Sequence, residues 1–449
     1  MHLIWRGVLL AVLLITLVPF WAISPRWSTV SRTLGRSIVT LPCNGEREWD
    51  ASISALLATR FLSNLSLLEF AAIDVNDSDH VAAIAVHENS VFLLRPSLPL
   101  DKRHPWLRSM LKQLVRASQT EKLFDCYFLL HTWDLPLAPT VSSKDVTRGA
   151  LVLGPSTPRA GTHNDVPVPN GAFESLITLE SGAGVPYDEF LRHAARDAPL
   201  PWSNRAPVAF FRGSMTCSAS GEECVSGSAV CPRLEAASFS RKRPDLVNAA
   251  LTNKYDGAFD ACIEAALSGA GASGTGISTT TAWRHAQAQP VPIPSHARWR
   301  YLLHFGGTSY SYRLQRILPL GSAVLAEAQA RAHLEFYTTA LEAVGGVIPW
   351  SCDSRVNGSN MTRIGDRCSR SMTQLVQAVR DDDVGAARVA AAGAAFAASH
   401  LTSLARSCYW ARLLRAVAVR RSRVGGGRID AQEIRAAFPR AQRLELEQF

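Results

Sequence analysis

The chain has 449 residues, enough for two domains and a large buried core. Hydrophobic residues make up 47% and charged residues 19%, which excludes a disordered chain, and nine cysteines are too few for a disulfide scaffold. The net charge of +9 does not indicate a nucleic-acid groove: residues 401–449 hold ten Arg and no Lys against four acids, a net +6, which leaves +3 for the rest.

The first segment is an address. Residues 7–24 are eighteen uncharged positions, long enough to span a bilayer when the flanks snorkel. Pro25 disfavours cleavage after Ala22-Ile23-Ser24, so residues 1–24 are expected to be an uncleaved signal anchor and 25–48 a Ser/Arg/Thr-rich stem. Acceptor patterns for glycosylation at Asn64, Asn76, Asn357 and Asn360 agree with a lumenal body. Because Glu447-Gln448-Phe449 is not a retrieval signal, the expected location is the Golgi (or ER) membrane, single-pass type II. The cysteines form no CxxC pair, which argues against structural zinc, and their odd number leaves a thiol free or paired between chains. Cys217, Cys224 and Cys231 are expected to pin a loop by a disulfide, or to be buried thiols.

Along the body, helical spacing predicts a helix over 51–61, strands over 81–86 and 91–94, and an amphipathic helix over 107–115. The apolar run FDCYFLLH (124–131) reads as a buried strand emptying into a loop at Asp134, and 149–154 repeats the pattern. A helix is expected from 186, a strand over 208–211, a helix over 244–252, and a Gly/Ser/Thr-rich surface insertion over 266–293. Strands at 299–305 and 322–325, helices at 310–318 and 334–344, and a buried helix or helix pair over 384–414 complete the pattern. Such alternation predicts two α/β blocks with mostly parallel sheets, whose ligands sit at the carboxyl ends of strands.

Three loops then matter. After the strand ending at Phe211, Arg212, Gly213, Ser214 and Thr216 supply a cation, a permissive glycine and two hydroxyls suited to phosphate oxygens; a surface ion pair beside a turn is the alternative. After Phe305, the run Gly306-Gly307-Thr308-Ser309-Tyr310-Ser311-Tyr312-Arg313 repeats that chemistry at a helix start, and by itself also reads as a capped Gly-Gly turn. Together the two loops point to a diphosphate, whose charge must be held as it leaves. Asp134 ends the first block's strand, where it would serve as a general base or cap a turn before Pro136. The acids Asp381, Asp382 and Asp383 stand at a helix start and are expected to cap it.

The stretches LLHTWDLP (129–136), AFFRGSMT (209–216), RPDLVNAALTNK (243–254), WRYLLHFGGTSYSYRLQRILPLGSAVL (299–325), HLEFYTTALEAVGGVIP (333–349) and SHLTSLARSCYWARLL (399–414) resemble, in order, the Rumi-like protein O-glucosyltransferases and capsule-associated xylosyltransferases. The resemblance implies a GT-B fold, two Rossmann-type domains facing a cleft, here 49–200 on the acceptor side and 201–400 on the donor side, followed by a terminal helix and basic tail over 401–449. It also implies an inverting, metal-independent enzyme with no cofactor, using UDP-glucose or UDP-xylose and a protein or polysaccharide acceptor. By position, Asp134 matches the family's base; Arg212, Gly213 and Ser214 its phosphate-binding Arg-Gly-Ser; Thr308, Ser309, Ser311 and Arg313 its hydroxyl-and-arginine loop; and Glu335 an acid placed for a ribose contact. Gly306 departs from the Arg or Asp of many members, which leaves open a catalytically silent protein that binds nucleotide sugar or glycan.

Overall fold

The computed structural model describes residues 47–58, 66–71, 73, 79–133, 150–160, 162–174, 185–196, 200–216, 230–252, 287–352, 368–423 and 430–449. The expected anchor and stem up to residue 46, the four glycosylation asparagines and Asp134 lie outside the described residues. So does most of the insertion expected over 266–293.

In the first half, helices α1 (Arg47–Ala58) and α2 (Leu67–Ala71) precede strands β1 (Val81–His87) and β2 (Ser90–Leu93), helix α3 (Pro105–Thr120) and strand β3 (Cys126–His131). Short strands β4 (Val152–Gly154), β5 (Thr157–Pro158) and β6 (Val166–Pro167) and helix α4 (Tyr187–Arg196) follow. The second half runs β7 (Ala206–Gly213), α5 (Pro232–Lys242), β8 (Val247–Leu251), β9 (Trp299–His304), α6 (Arg313–Ile317), β10 (Ala323–Glu327), α7 (Ala328–Arg331), β11 (His333–Leu334), α8 (Thr338–Ala343) and β12 (Ile348–Trp350). Helices α9 (Ser369–Asp381), α10 (Asp383–His400), α11 (Ser403–Arg423) and α12 (Ala431–Ala437) lead to β13 (Gln442–Arg443).

The second sheet has the order β12-β10-β9-β7-β8 and is parallel throughout. Counted within this half, the order is 2-1-3-4-5, so the winding reverses between β7 and β9. Open α/β sheets leave a crevice at that reversal, outside the carboxyl ends of the two strands. The expected helix over 244–252 is instead strand β8: Val247, Ala249 and Leu251 are buried while Asn248 and Ala250 are half-buried, a period of two that Pro244 only introduces.

The first sheet, β13-β2-β1-β3-β4-β6, is mixed rather than mostly parallel. β1 is antiparallel to both β2 and β3, while β4 is parallel to β3 and β6. The β1–β2 hairpin turns at Glu88 and Asn89, both at positive φ (47° and 63°), the pairing that matches strand twist in a two-residue turn. Asp125 holds this turn by accepting from the Glu88 N–H at 3.0 Å.

The basic tail is not a solvated one. Tyr409, Trp410, Leu413, Leu414 and Val417 bury one side of α11 in the core shared with α3 and α1, and β13 pairs with the edge strand β2. Arg421 lies over the Tyr127 ring at 4.3 Å, Arg420 donates to the Leu57 carbonyl, and Arg412 pairs with Asp50 at 2.5 Å. One core cluster runs from Ile84, Phe128 and Leu153 of the first sheet to Phe210, Leu302 and Val324 of the second. The β5–β11 ribbon also joins the halves.

Asp382 caps α10 by accepting from the Gly385 N–H at 2.9 Å, as expected, whereas Asp383 takes Trp202 Nε1 and the Arg300 guanidinium. Cys352 and Cys368 form a disulfide with each other, Cys231 and Cys408 are each disulfide-bonded to a cysteine outside the described residues, and Cys126 is a free, buried thiol.

Arg406 shows what fastens the last helices. Only 1% exposed, it donates to Glu174 at 2.8 Å, Asp188 at 3.1 Å and Gln113 at 3.0 Å, and stacks on Phe173 at 4.6 Å. Arg406→Met leaves Glu174 with Arg116 at 2.5 Å as its remaining cation and takes the Arg406 donor from Gln113 Oε1 and the Leu401 carbonyl, and should lower stability by about 2–3 kcal/mol. Chemical denaturation measures this, and a loss below about 1 kcal/mol would place the ion pairs among the dispensable ones.

Candidate active site

β7 and β9 end side by side at the winding reversal, and both candidate loops leave from there. Side chains alternate along a strand, so Phe211 and Arg212 face opposite ways. On the Phe211 side, Arg313 stacks over the Phe211 ring at 4.8 Å and Arg233 lies 5.8 Å from it. On the other side, Arg212 lies over Phe210 at 4.7 Å and donates to Asn248 Oδ1 at 2.8 Å and Asn248 O at 3.0 Å. The two arginines expected to act together therefore flank the end of β7, with Arg212 committed to β8.

Gly213 gives Arg313 its room. A Cβ there would stand 2.6 Å from Arg313 Nη2 and 2.8 Å from the Phe211 ring. Gly213→Ala should therefore turn Arg313 away and, on the sequence expectation that these loops hold a diphosphate, weaken its binding about tenfold, the effect of losing one charged hydrogen bond. Calorimetric titration with UDP checks this; unchanged affinity would mean that Arg313 does not meet the phosphates.

Beneath the loops lies a residue that the motifs did not single out. Arg233, on the first turn of α5 and 5% exposed, donates to Ser214 O and Gly306 O at 2.9 Å each, to Thr216 Oγ1 at 2.5 Å and to Phe305 O at 3.4 Å. Of the other predicted residues, Thr308 is exposed, Ser214 and Ser311 are half-buried, and Ser309 is buried with its hydroxyl unpaired. Gly306 is tightly seated: a Cβ would meet Ala330 N and Ser309 O at 3.2 Å each. Cation density is high here. Burial, with Arg313 and Arg233 adding to it, pushes the His304 imidazole down to about 3, and burial with Arg313 and Arg212 does the same to His296. Both histidines stay neutral, and the clustered guanidiniums favour an anion.

Glu335 lies apart from these loops in a recess lined by His304, Arg331, His333 and Thr338. Its carboxyl accepts from Tyr337 OH at 3.0 Å and from Asn170 Nδ2, of the first half, at 3.1 Å. Burial raises its pKa from 4.5 to about 8 despite those bonds. Between about pH 4.5 and 8 the folded protein thus keeps a proton that the unfolded chain releases, and stability falls as pH rises. Glu335→Gln should flatten that decline, gaining on the wild type from pH 5 to pH 8 in melting scans; parallel pH profiles would disprove a protonated Glu335.

In the first half, His131 at the end of β3 pairs with Asp165 at 2.9 Å, both fully buried, and Gly154 leaves space for the ring. Thr132 Oγ1 meets His80 Nδ1 at 2.9 Å, His80 stacks on His104 at 4.2 Å, His104 adjoins Trp106 at 6.0 Å, and Trp106 meets Tyr312 at 5.5 Å. This row of side chains connects the end of β3 to the loop after β9. Trp133, 42% exposed, precedes Asp134 at the surface.

The sequence model of glycosyl transferase family 90 matches residues 76–435, most of the chain and both halves of the fold. The chain belongs to that family. Family 90 includes the capsule-associated xylosyltransferases and the Rumi-like O-glucosyltransferases, and membership makes this protein a glycosyltransferase that takes a nucleotide-sugar donor and a glycan or protein acceptor. No curated protein matches the chain. Arg233, His296, His304 and Asn170 were not marked by any motif; Pro232 ahead of Leu234 and Phe239 was the one hint of a helix that carries Arg233.

Proposed function

We propose that this family 90 protein is an inverting glycosyltransferase of GT-B architecture that moves glucose or xylose from a UDP-sugar to a hydroxyl of a protein or glycan. The observation that carries the reading is the pair of arginine-and-hydroxyl loops at the winding reversal of a parallel sheet, with Arg313 stacked on Phe211 between them. The return of α11 from the second half onto α1 and α3 of the first supports the GT-B assignment.

In this reaction the carboxylate of Asp134 takes the proton of the acceptor hydroxyl. The acceptor oxygen forms its bond to C1 of the donor sugar from the face opposite the nucleotide, and the C1–O bond to UDP breaks with its electron pair leaving on the diphosphate. Arg313 and the hydroxyls of Ser214, Thr216, Thr308, Ser309 and Ser311 stabilise that charge, with Arg212 approaching from the far side of β7. Guanidiniums fill the role of a divalent cation, so no metal is required. The ribose contact that the family resemblance implies falls to Glu335, beside His304 and Thr338. Residues 7–24 anchor the protein in the Golgi or ER membrane with the catalytic body in the lumen, where the disulfide at Cys352 and Cys368 persists.

Incubating the purified full-length protein with UDP-glucose or UDP-xylose in EDTA should release UDP. Asp134→Asn should abolish release by a factor of about 1,000 or more while UDP still binds. Loss of both activities together would make Asp134 structural, and binding without turnover in the wild type would favour a silent sugar-nucleotide-binding protein, a reading that the tightly seated Gly306 keeps in view.

A further inference from the structure

His104 starts helix α3 in a way that ties the helix to the protonation of one ring. It is the N-cap: its Nδ1 accepts from the Trp106 N–H at 3.3 Å, one of the amides that a helix start leaves without a carbonyl partner. An imidazole that accepts at Nδ1 is neutral and carries its proton on Nε2, so a second proton can enter only at the atom that makes the cap.

Three features oppose that second proton. The ring is half-buried, it stacks on His80 at 4.2 Å, and the charge would stand at the positive end of a 16-residue helix. Burial first and His80 second hold the His104 pKa below its ordinary 6.5, with Asp79 pulling the other way. The Asp79 carboxylate lies 3.8 Å from His80 Nε2, and the Asp79 carbonyl accepts from the His104 N–H at 2.9 Å. Among the described residues, His80 and Asp79 are the titratable groups that face His104 from outside its helix, and Gly171–Phe173, packed on the same helix, bring none. Along the chain, Asp101, Lys102 and Arg103 precede it and Arg108 follows one turn later; Arg103 turns away to the carbonyls of Val81 and Arg95.

The cap is also connected across the cleft. The His104 ring adjoins that of Trp106 at 6.0 Å, and Trp106 meets Tyr312 edge to face at 5.5 Å. Tyr312 belongs to the loop after β9 and immediately precedes Arg313. We propose that His104 is a proton-operated latch between the two walls of the cleft: neutral, it caps α3 and holds Trp106 against Tyr312; protonated, it drops the cap, parts from His80 and loosens the loop that carries Arg313. The sign follows from the lowered pKa. An opened helix start takes up the proton more readily than the closed one, so the contribution of the cap is whole above about pH 6.5 and is lost as pH falls below it. The latch is therefore closed in a neutral compartment and open in an acidic one. Its action does not depend on which sugar is transferred, or on transfer at all.

Amide hydrogen exchange on the full-length wild type and on His104→Asn, at about pH 7.5 and about pH 5.5, tests this, because asparagine is among the best N-caps and does not titrate. At the higher pH the two proteins should exchange alike over residues 105–111 and 308–314. At the lower pH both segments should exchange about fivefold faster in the wild type than in the variant, the effect of losing one cap, while the core segment 409–417 stays equal. Comparison of two proteins at one pH removes the chemical dependence of exchange on acidity. Equal exchange at the lower pH overturns the latch, and a difference confined to 105–111 makes His104 a local cap and overturns its link to Tyr312. Should His104→Asn fail to fold, the wild type alone decides: protection over 105–111 and 308–314, relative to 409–417, should fall between the two pH values, and constant protection overturns the proposal. A protein that binds no nucleotide sugar would overturn the donor reading and leave this one standing.

Discussion

A guanidinium that leaves water must be given acceptors in the plane of its fork, and the joints of this fold follow from that requirement. Arg205 ties the start of β7 to the turn before β10 by donating to Leu320 O, Gly321 O and Ser322 Oγ. Arg316, on α6, reaches the Ala172 carbonyl of the first half. Arg406 fastens α11 to Glu174 and Asp188, and Arg233 gathers both loops at the winding reversal. Arg205, Arg316 and Arg233 are long-range cross-links whose polar partners are mostly main-chain carbonyls, which no substitution of a neighbouring side chain can remove, whereas Arg406 is held mainly by the side chains of Gln113, Glu174 and Asp188. Among the described residues Arg103, Arg205, Arg233, Arg316 and Arg406 are thus buried fastenings rather than surface charge.

The same requirement explains why the two halves behave as one body at their seam. Asn170 donates to both Glu335 and Gln315, Gln113 donates to the Asn170 carbonyl, and Tyr187 donates to the Gln315 carbonyl. A buried network of this kind loses several bonds at once if either half shifts, so it fixes orientation more firmly than apolar contact alone. A neutral Glu335 suits that position, since an ionised carboxylate in a dry seam would carry the full cost of desolvation.

Much of this was legible in the sequence where one physical signal dominated. The run from Cys126 to His131 is apolar on both faces and could only be a buried strand, and the loops after Phe211 and Phe305 announced themselves by glycine, hydroxyl and arginine following such strands. Reading failed where signals competed. Pro244 and the alanines around Asn248 suggested a helix, but alternation of burial against α5 made a strand. The antiparallel placement of β1 depends on the Glu88-Asn89 turn, whose left-handed backbone has no glycine to betray it. Arg233 was hidden for a deeper reason: its importance lies in which distant carbonyls converge on it, and convergence is a property of the fold. Arg212 failed in the opposite sense, since its motif gave the residue and the strand but not the face it would occupy.

The pairing of β13 with β2 has a bearing on how the protein is made. Residues 442–443 close the open edge of a sheet whose other strands lie between residues 81 and 167, and α11 and α12 cover its faces. During vectorial synthesis the first half therefore waits, with one edge and part of each face of its sheet uncovered, until almost the whole of the second half has been translated. A nascent chain in that state exposes an unpaired strand edge, a template for wrong pairing.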